Sequence, residues 1–476
     1  MNTINRIVKN TTLLFASTVL SYILLFFVNM YTARYLGVGG FGTLSLAFAF
    51  TGIFVVFVDL GLSTLLVREV ARDKSLANKY LGNIIVIKIV LSFITFGFIV
   101  IFVNLIGYSQ EVSNIIYIVS VSTIIGSFNA LFYSVFQAYE KMGYQSIGAV
   151  LNSFLLFSLI LTIINYGLDI VTFSLIYIVV NLISLFYCFL ICFWKFIWPK
   201  IEIDLSFWKT TIITALPLSL AVLFSVIGFR IDSVLLSIMN GNIAVGFYTA
   251  PYRLIEALIV IPSVFTLAIY PVISNFYVSS HETLENSYKI SIKYLTIIGL
   301  PIAVGITLLA DEIILLIYGN GFSQSILALQ ILSWEIPLIF LTYTFGTFLV
   351  SIDKQIISLK ITFIAMIVNI ILNLLLIPYF SYLAASFVTV ITELVAFIFC
   401  FSYLSKFIIK INIIKFIIKP AVASLIMGLF MLCFNINLFL LIIISTILYL
   451  VILVILKTFS DEDIQLLRQI LHKVKK

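Results

Sequence analysis

Nine ionisable side chains sit inside long apolar stretches, where each charge must be met by a partner or by water. Four are basic (Arg34, Lys88, Arg230, Arg253) and five acidic (Asp59, Asp232, Glu256, Glu335, Glu393), with Asp311 and Glu312 nearer a stretch end. A charge at the centre of a membrane span costs about 2.5–3.5 kcal/mol on insertion scales, so it normally faces a cavity or a partner. Arg253 and Glu256 are three apart and can pair on one helix face. Arg230 and Asp232 are two apart and cannot, so each needs another partner or water. Lys88 and Arg34 lie close enough to stretch ends for snorkelling to compete with a functional role. Asp59, Arg230, Asp232 and Glu393 read as the lining of an aqueous cavity. No phosphate loop, His–carboxylate cluster or pair of outward acids is present, so nothing suggests catalysis or a built-in ATP motor. Cys188 and Cys192 share a helix face without a further metal ligand nearby and read as small apolar packing.

The elements that must position these groups are membrane helices. The chain is 63% hydrophobic and 10% charged, with a mean hydropathy of +1.23, which excludes a soluble or disordered protein. About 20 apolar residues cross roughly 30 Å of hydrocarbon. Fourteen spans are expected near 11–33, 41–63, 82–106, 112–136, 145–166, 170–194, 207–232, 244–274, 290–318, 326–350, 357–378, 380–402, 413–434 and 437–457. With that count, 23 of the 27 Lys and Arg residues fall on one side, the pattern of cytoplasmic loops. Both termini are therefore expected in the cytoplasm, in a multi-pass plasma-membrane protein. The net charge of +7 sits on that face, where anionic lipids account for it and no nucleic acid is needed.

Outward loops are turns of about ten residues or fewer, such as Asn240-Gly241-Asn242 and Asn435-Ile436-Asn437. The longer inward links are 64–81, 195–206, 275–289 and 403–412. After the last span, Ser460-Asp461-Glu462-Asp463 resembles a helix start, and Ile464, Leu467, Leu471 and Val474 follow at helical spacing. An amphipathic tail over 458–476 is expected on the cytoplasmic face. An internal repeat is also present: Gly42-Thr43-Leu44 opens the second span and Gly246-Phe247-Tyr248 opens the eighth, 204 residues later. An even number of spans separates them, so the halves share one orientation, an architecture that transporters use with the substrate between the halves. Pro251, Pro262 and Pro271 all fall in the eighth span, as static curvature or as a hinge.

Three blocks carry a family resemblance. They are Tyr31-Thr-Ala-Arg34-Tyr-Leu-Gly37-Val-Gly-Gly-Phe-Gly42, Asp59-Leu-Gly61-Leu-Ser with Val67-Arg68-Glu69-Val-Ala-Arg72, and Gly246-Phe-Tyr248-Thr-Ala250-Pro-Tyr252-Arg253 leading to Tyr270-Pro271-Val272. The chain resembles the polysaccharide and O-antigen exporter branch of the multidrug/oligosaccharidyl-lipid/polysaccharide flippase superfamily. The resemblance implies an all-α fold of two six-helix bundles, over 1–200 and 201–405, related by a pseudo-two-fold axis. Two added helices would follow over 406–457. It implies a flippase, not an enzyme, that moves a polyprenyl-(pyro)phosphate-linked oligosaccharide from the inner to the outer leaflet by alternating access. By motif position it singles out Arg34, Asp59, Arg68 and Arg253; with Arg230, Asp232, Glu256 and Glu393 these are the candidate cavity residues. Guanidinium groups suit a pyrophosphate because they bind it bidentately.

No cofactor or metal is implied, and the coupling ion, H+ or Na+, stays open. The expected partners are membrane lipids, the polyprenyl-linked glycan, and glycan polymerase or ligase machinery. A cation-coupled drug antiporter of the same superfamily is the main rival, although such proteins typically have twelve helices. A lipid-linked peptidoglycan-precursor flippase is close in function. A membrane-embedded polymerase or ligase generally needs a larger outward loop than any here.

Overall fold

The computed structural model describes residues 3–198, 203–408, 411–434 and 436–459. Among them the regular structure is entirely helical, as expected where hydrocarbon leaves backbone groups no partner but their own chain. In order the helices are α1 (Thr3–Asp59), α2 (Leu62–Arg72), α3 (Ala77–Ile106), α4 (Gln110–Ala138), α5 (Met142–Tyr166), α6 (Ile170–Lys195), α7 (Leu205–Leu258), α8 (Val260–Ser279), α9 (His281–Leu308), α10 (Ala310–Ile317), α11 (Ser325–Leu332), α12 (Glu335–Ser351), α13 (Gln355–Phe407), α14 (Ile414–Cys433) and α15 (Leu438–Ile455).

Ten of these stretches are long and apolar enough to cross a membrane, or eleven if the bent pair α11 and α12, which meet at 41°, is one crossing. Three are too long for one crossing. The 57 residues of α1 would reach about 85 Å as a straight rod, nearly three hydrocarbon thicknesses. α1, α7 and α13 are each two helices joined at a break, at Gly37 (φ 65°), Gly241 (φ 80°) and Ser381 (φ 51°). Each of the three therefore holds two helical segments, one on either side of its break. Glycine tolerates positive φ at the first two breaks, whereas Ser381 adopts it against its Cβ.

The described residues form two compact units. The first is Met1–Arg253 with Thr362–Ala385, and the second is Leu254–Ile361 with Ser386–Lys476. In the first, α1 packs on α4 and α5, α4 on α6, and α2 on α4. The buried face of α2, with Leu62, Leu65, Leu66 and Val70, joins Leu131 and Phe136 of α4 in one core with Cys188 and Cys192. Those cysteines are thus packing residues, and no metal-binding cluster of His, Cys, Asp or Glu occurs among the described residues. In the second unit, α9 packs on α12 and α14, and α14 on α15. The Tyr449 hydroxyl donates to the Ile297 carbonyl at 2.7 Å, fixing α15 to α9.

Several expectations need correction. The inward links at 64–81 and 275–289 are mostly helical: α2 fills the first, and only Ser280 separates α8 from α9, capping the latter. The ninth and tenth spans are not continuous, being broken at Leu309 and at Ser333 and Trp334. In the eighth span the helix is interrupted only at Ile259, between α7 and α8. Pro262 has no N–H to give the Leu258 carbonyl four residues back, which accounts for the lapse in helical hydrogen bonding there. The amphipathic tail, from Ser460 onward, and Asn435 lie outside the described residues.

Candidate functional site

Six of the eight candidate residues, Arg34, Asp59, Arg68, Arg230, Asp232 and Arg253, belong to the first unit; Glu256 and Glu393 belong to the second.

Asp59 is the last residue of α1, just before Leu60 and Gly61 turn into positive φ (44° and 77°). That break frees the carboxylate to face α3 and α4. Its Oδ1 accepts from Lys88 Nζ at 2.7 Å and from the Ser63 hydroxyl. Lys88 also donates to the Ser127 carbonyl at 2.9 Å, and its ammonium lies 5.8 Å from the Phe128 ring centre. The Lys88 side chain is fully buried while that of Asp59 is 30% exposed. Lys88 therefore does not snorkel; it is a paired interior charge. Residue spacing alone placed it six residues into its span and could not reveal a partner 29 residues upstream.

Ser63, the hydroxyl partner of Asp59, also lines a cavity of about 600 Å³ with Thr64, Arg68, Tyr133, Gln137 and Gln145 among others. Arg68 is exposed on α2, opposite the face that joins the core, and its Nε donates to Glu69 Oε1 at 2.7 Å. Gln137 Nε2 donates to Gln145 Oε1 at 3.0 Å across α4 and α5. Amides and hydroxyls that both donate and accept, with one guanidinium, suit a hydroxylated ligand that also carries negative charge. Arg34 is exposed on α1, one turn before the Gly37 break.

A second cluster surrounds Asp232 on α7, a residue only 2% exposed. Its carboxylate accepts from the Tyr248 hydroxyl at 2.8 Å and from Asn373 Nδ2 at 2.6 Å; Asn373 Nδ2 also donates to Asn369 Oδ1 at 3.0 Å. Asn373 Oδ1 is buried without a hydrogen-bond partner. Carboxylate and amide oxygens are the hard donors that small cations accept. The sequence reading missed Asn369 and Asn373, although polar residues four apart in an apolar span were a visible signal. Arg230 and Arg253 are partly buried on the same helix. Glu256 is partly buried near the end of α7, and Glu393 on α13 near Thr342 of α12.

A fold of broken and kinked membrane helices with polar clusters in its interior defines a multi-pass membrane protein of the transporter type. The family model described as polysaccharide biosynthesis protein matches residues 7–277, more than half of the chain, and one described as MatE matches 217–375. The chain belongs to the polysaccharide biosynthesis protein family, within the branch that its sequence motifs resemble. It is 24% identical over 405 residues to capsular polysaccharide biosynthesis protein CapF of Staphylococcus aureus, covering 82% of this chain and 97% of that one. Its fold is similar to the lipid II flippase MurJ in an inward closed conformation, with TM-score 0.79 and 17% identity over 93% of this chain and 98% of the other. It is also similar to an inward-facing multidrug resistance MATE transporter, with TM-score 0.68 and 20% identity over 82% and 94% of the two chains. The solved relatives are thus a flippase and a transporter, not enzymes.

Proposed function

We propose that this protein is a flippase for a polyprenyl-(pyro)phosphate-linked oligosaccharide, carrying it from the inner to the outer leaflet by alternating access for surface polysaccharide or glycan biosynthesis. The observation that carries this reading is the cavity into which Ser63, Thr64, Arg68 and the Gln137–Gln145 pair bring polar groups within an otherwise apolar helix bundle. Each sugar hydroxyl stripped of water in hydrocarbon costs several kcal/mol, so a glycan crosses only where protein polar groups replace water. The prenyl chain needs no such replacement and stays in lipid. The family and the CapF relative support a role in polysaccharide assembly.

With the basic residues on the cytoplasmic face of the plasma membrane, both termini are cytoplasmic in this reading. An anionic headgroup then moves outward with the membrane potential, gaining about 2.3 kcal/mol per charge per 100 mV. H+ or Na+ at the Asp232 cluster is the alternative coupling. Drug–cation antiport is a second reading, favoured by the MatE match over 217–375; α14 and α15 lie beyond the twelve helices such a protein needs. The test is headgroup transfer between leaflets in liposomes. A protein that moves an organic cation drug and leaves a polyprenyl-linked glycan in place supports the second reading over the first.

A further inference from the structure

The second unit gathers three lysines at one end of α9, α14 and α15. Lys419 of α14 donates to the Lys457 carbonyl at 2.7 Å, just past the end of α15. The Lys293 ammonium of α9 lies 6.0 Å from the centre of the Phe459 ring, two residues beyond Lys457. That ring packs on the core that Ile297, Met427 and Tyr449 share. Lys293 and Lys419 are half-buried and Lys457 is exposed. Among the described residues neither Lys419 nor Lys457 meets a carboxylate. The turn that gathers them is itself strained. Its two bonds run from the Lys457 and Thr458 N–H groups to the Val454 and Leu453 carbonyls, each at 3.0 Å, and they hold Lys457 at φ 48°. Glycine is the usual residue at that point of a helix-ending turn, because a Cβ is disfavoured there. A lysine stands there instead, beside two others.

The neighbouring surface says what such a cluster can hold. One turn from Lys293, about 6 Å along α9, begins a cavity of about 380 Å³ lined by Ile297, Ile298, Pro301, Met427 and Leu450 among others. The two hydroxyls of its wall, Thr446 and Tyr449, already donate to the carbonyls of Ile442 and Ile297. The cavity therefore takes hydrocarbon, and the lysines take an anion. One amphiphile carries both at that separation: a phospholipid with a negative headgroup. The basic-residue pattern puts this end of the helices on the cytoplasmic face, whose leaflet holds anionic lipid, and basic pockets between helices on that side bind such headgroups.

We propose that Lys293, Lys419 and Lys457 form a site for the headgroup of one anionic phospholipid, whose acyl chain enters the cavity between α9, α14 and α15. The site is independent of what the protein transports. The test is competition between phosphatidylglycerol and phosphatidylcholine of identical chains for the purified full-length protein in detergent, read as bound lipid by native mass spectrometry. The wild type is expected to retain phosphatidylglycerol in preference. Each lysine lost should weaken that binding about fivefold, the scale of one charge at a lipid surface, and Lys293→Gln with Lys419→Gln about thirtyfold. Lys457→Gly separates binding from folding. It removes a charge and relieves the turn, so the Tm of the lipid-free protein should be unchanged or raised while phosphatidylglycerol still binds about fivefold more weakly. Lys354→Gln, whose ammonium lies 4.7 Å from the Phe407 ring elsewhere in the unit, is expected to keep the full preference. Equal wild-type binding of the two lipids overturns the site, as does full affinity in the lysine variants or an equal loss at Lys354→Gln. Displacement by an equal concentration of a polyprenyl phosphate would assign the site to carrier lipid and overturn it too. So would a preference that appears only when Asp461→Asn, Glu462→Gln and Asp463→Asn are combined, since the chain's own acids would then hold the lysines.

Discussion

Gly42 and Gly246 stand 204 residues apart, and each presses on the turn that precedes the other. A Cβ on Gly42 would lie 1.9 Å from the Asn242 carbonyl oxygen, and one on Gly246 would lie 2.2 Å from that of Val38. Val38 and Asn242 are themselves 204 apart, as are the breaks at Gly37 and Gly241. The internal repeat is thus a self-complementary contact: each copy's glycine receives the other copy's backbone. Asn242 Nδ2 donates to the Thr43 hydroxyl at 3.0 Å beside it. Small residues allow this approach, which supplies packing where hydrocarbon gives helices no hydrophobic reason to associate.

Because the obstacle at Gly42 is backbone, it cannot rotate away. Gly42→Ala and Gly246→Ala are expected to destabilise the protein by about 1–3 kcal/mol, read as a lowered Tm in detergent. Gly52→Ala, on the same helix with nothing within 4 Å of its Cβ position, is expected to leave Tm unchanged or slightly raised. Equal effects at Gly42 and Gly52 would argue against the close approach.

The Asp59–Lys88 pair should respond asymmetrically. Lys88 is fully buried and Asp59 is 30% exposed, so water can reach the carboxylate but not the ammonium. Asp59→Asn strands a buried cation and is expected to cost toward the 3–5 kcal/mol typical of breaking a buried pair. Lys88→Met leaves a partly hydrated acid and should cost less. The double variant should recover part of the loss, as a thermal-stability cycle would detect.

Arg34 is exposed one turn before the Gly37 break. Arg34→Ala is expected to insert normally and to slow glycolipid transfer by about tenfold or more, the scale of a charge-assisted bond to phosphate. Arg34→Lys should recover only part, since an ammonium cannot bind bidentately. Unchanged transfer by a well-inserted Arg34→Ala protein would remove Arg34 from the site.

Transport should also depend on voltage. A diphosphate headgroup carrying about two charges gains roughly 4.6 kcal/mol moving outward across 100 mV, inside negative. Imposing that potential in liposomes with a potassium gradient and valinomycin should speed outward transfer and reversing it should slow it. A rate indifferent to both would leave coupling to an ion at Asp232.

The helix content, the membrane location and the 204-residue repeat were legible in the sequence because hydropathy, basic-residue parity and glycine position are local signals. The Gly37 and Gly241 breaks fall at the turns expected between spans one and two and spans seven and eight. The pairings were not legible, because which faces meet depends on helix rotation. Lys88 could have snorkelled on spacing alone, and only packing of α3 against the end of α1 turns it toward Asp59. The helical character of 64–72 was hidden by its polarity: α2 buries one face and leaves Arg68 and Arg72 exposed.

The most direct measurement reconstitutes the purified protein into liposomes carrying a polyprenyl-diphosphate oligosaccharide and follows headgroup arrival in the opposite leaflet by lectin or oxidant access. The flippase account predicts transfer faster than in protein-free vesicles, slowed by Arg34→Ala. Transfer no faster than in protein-free vesicles, with several glycans tried and a potential imposed, would contradict it.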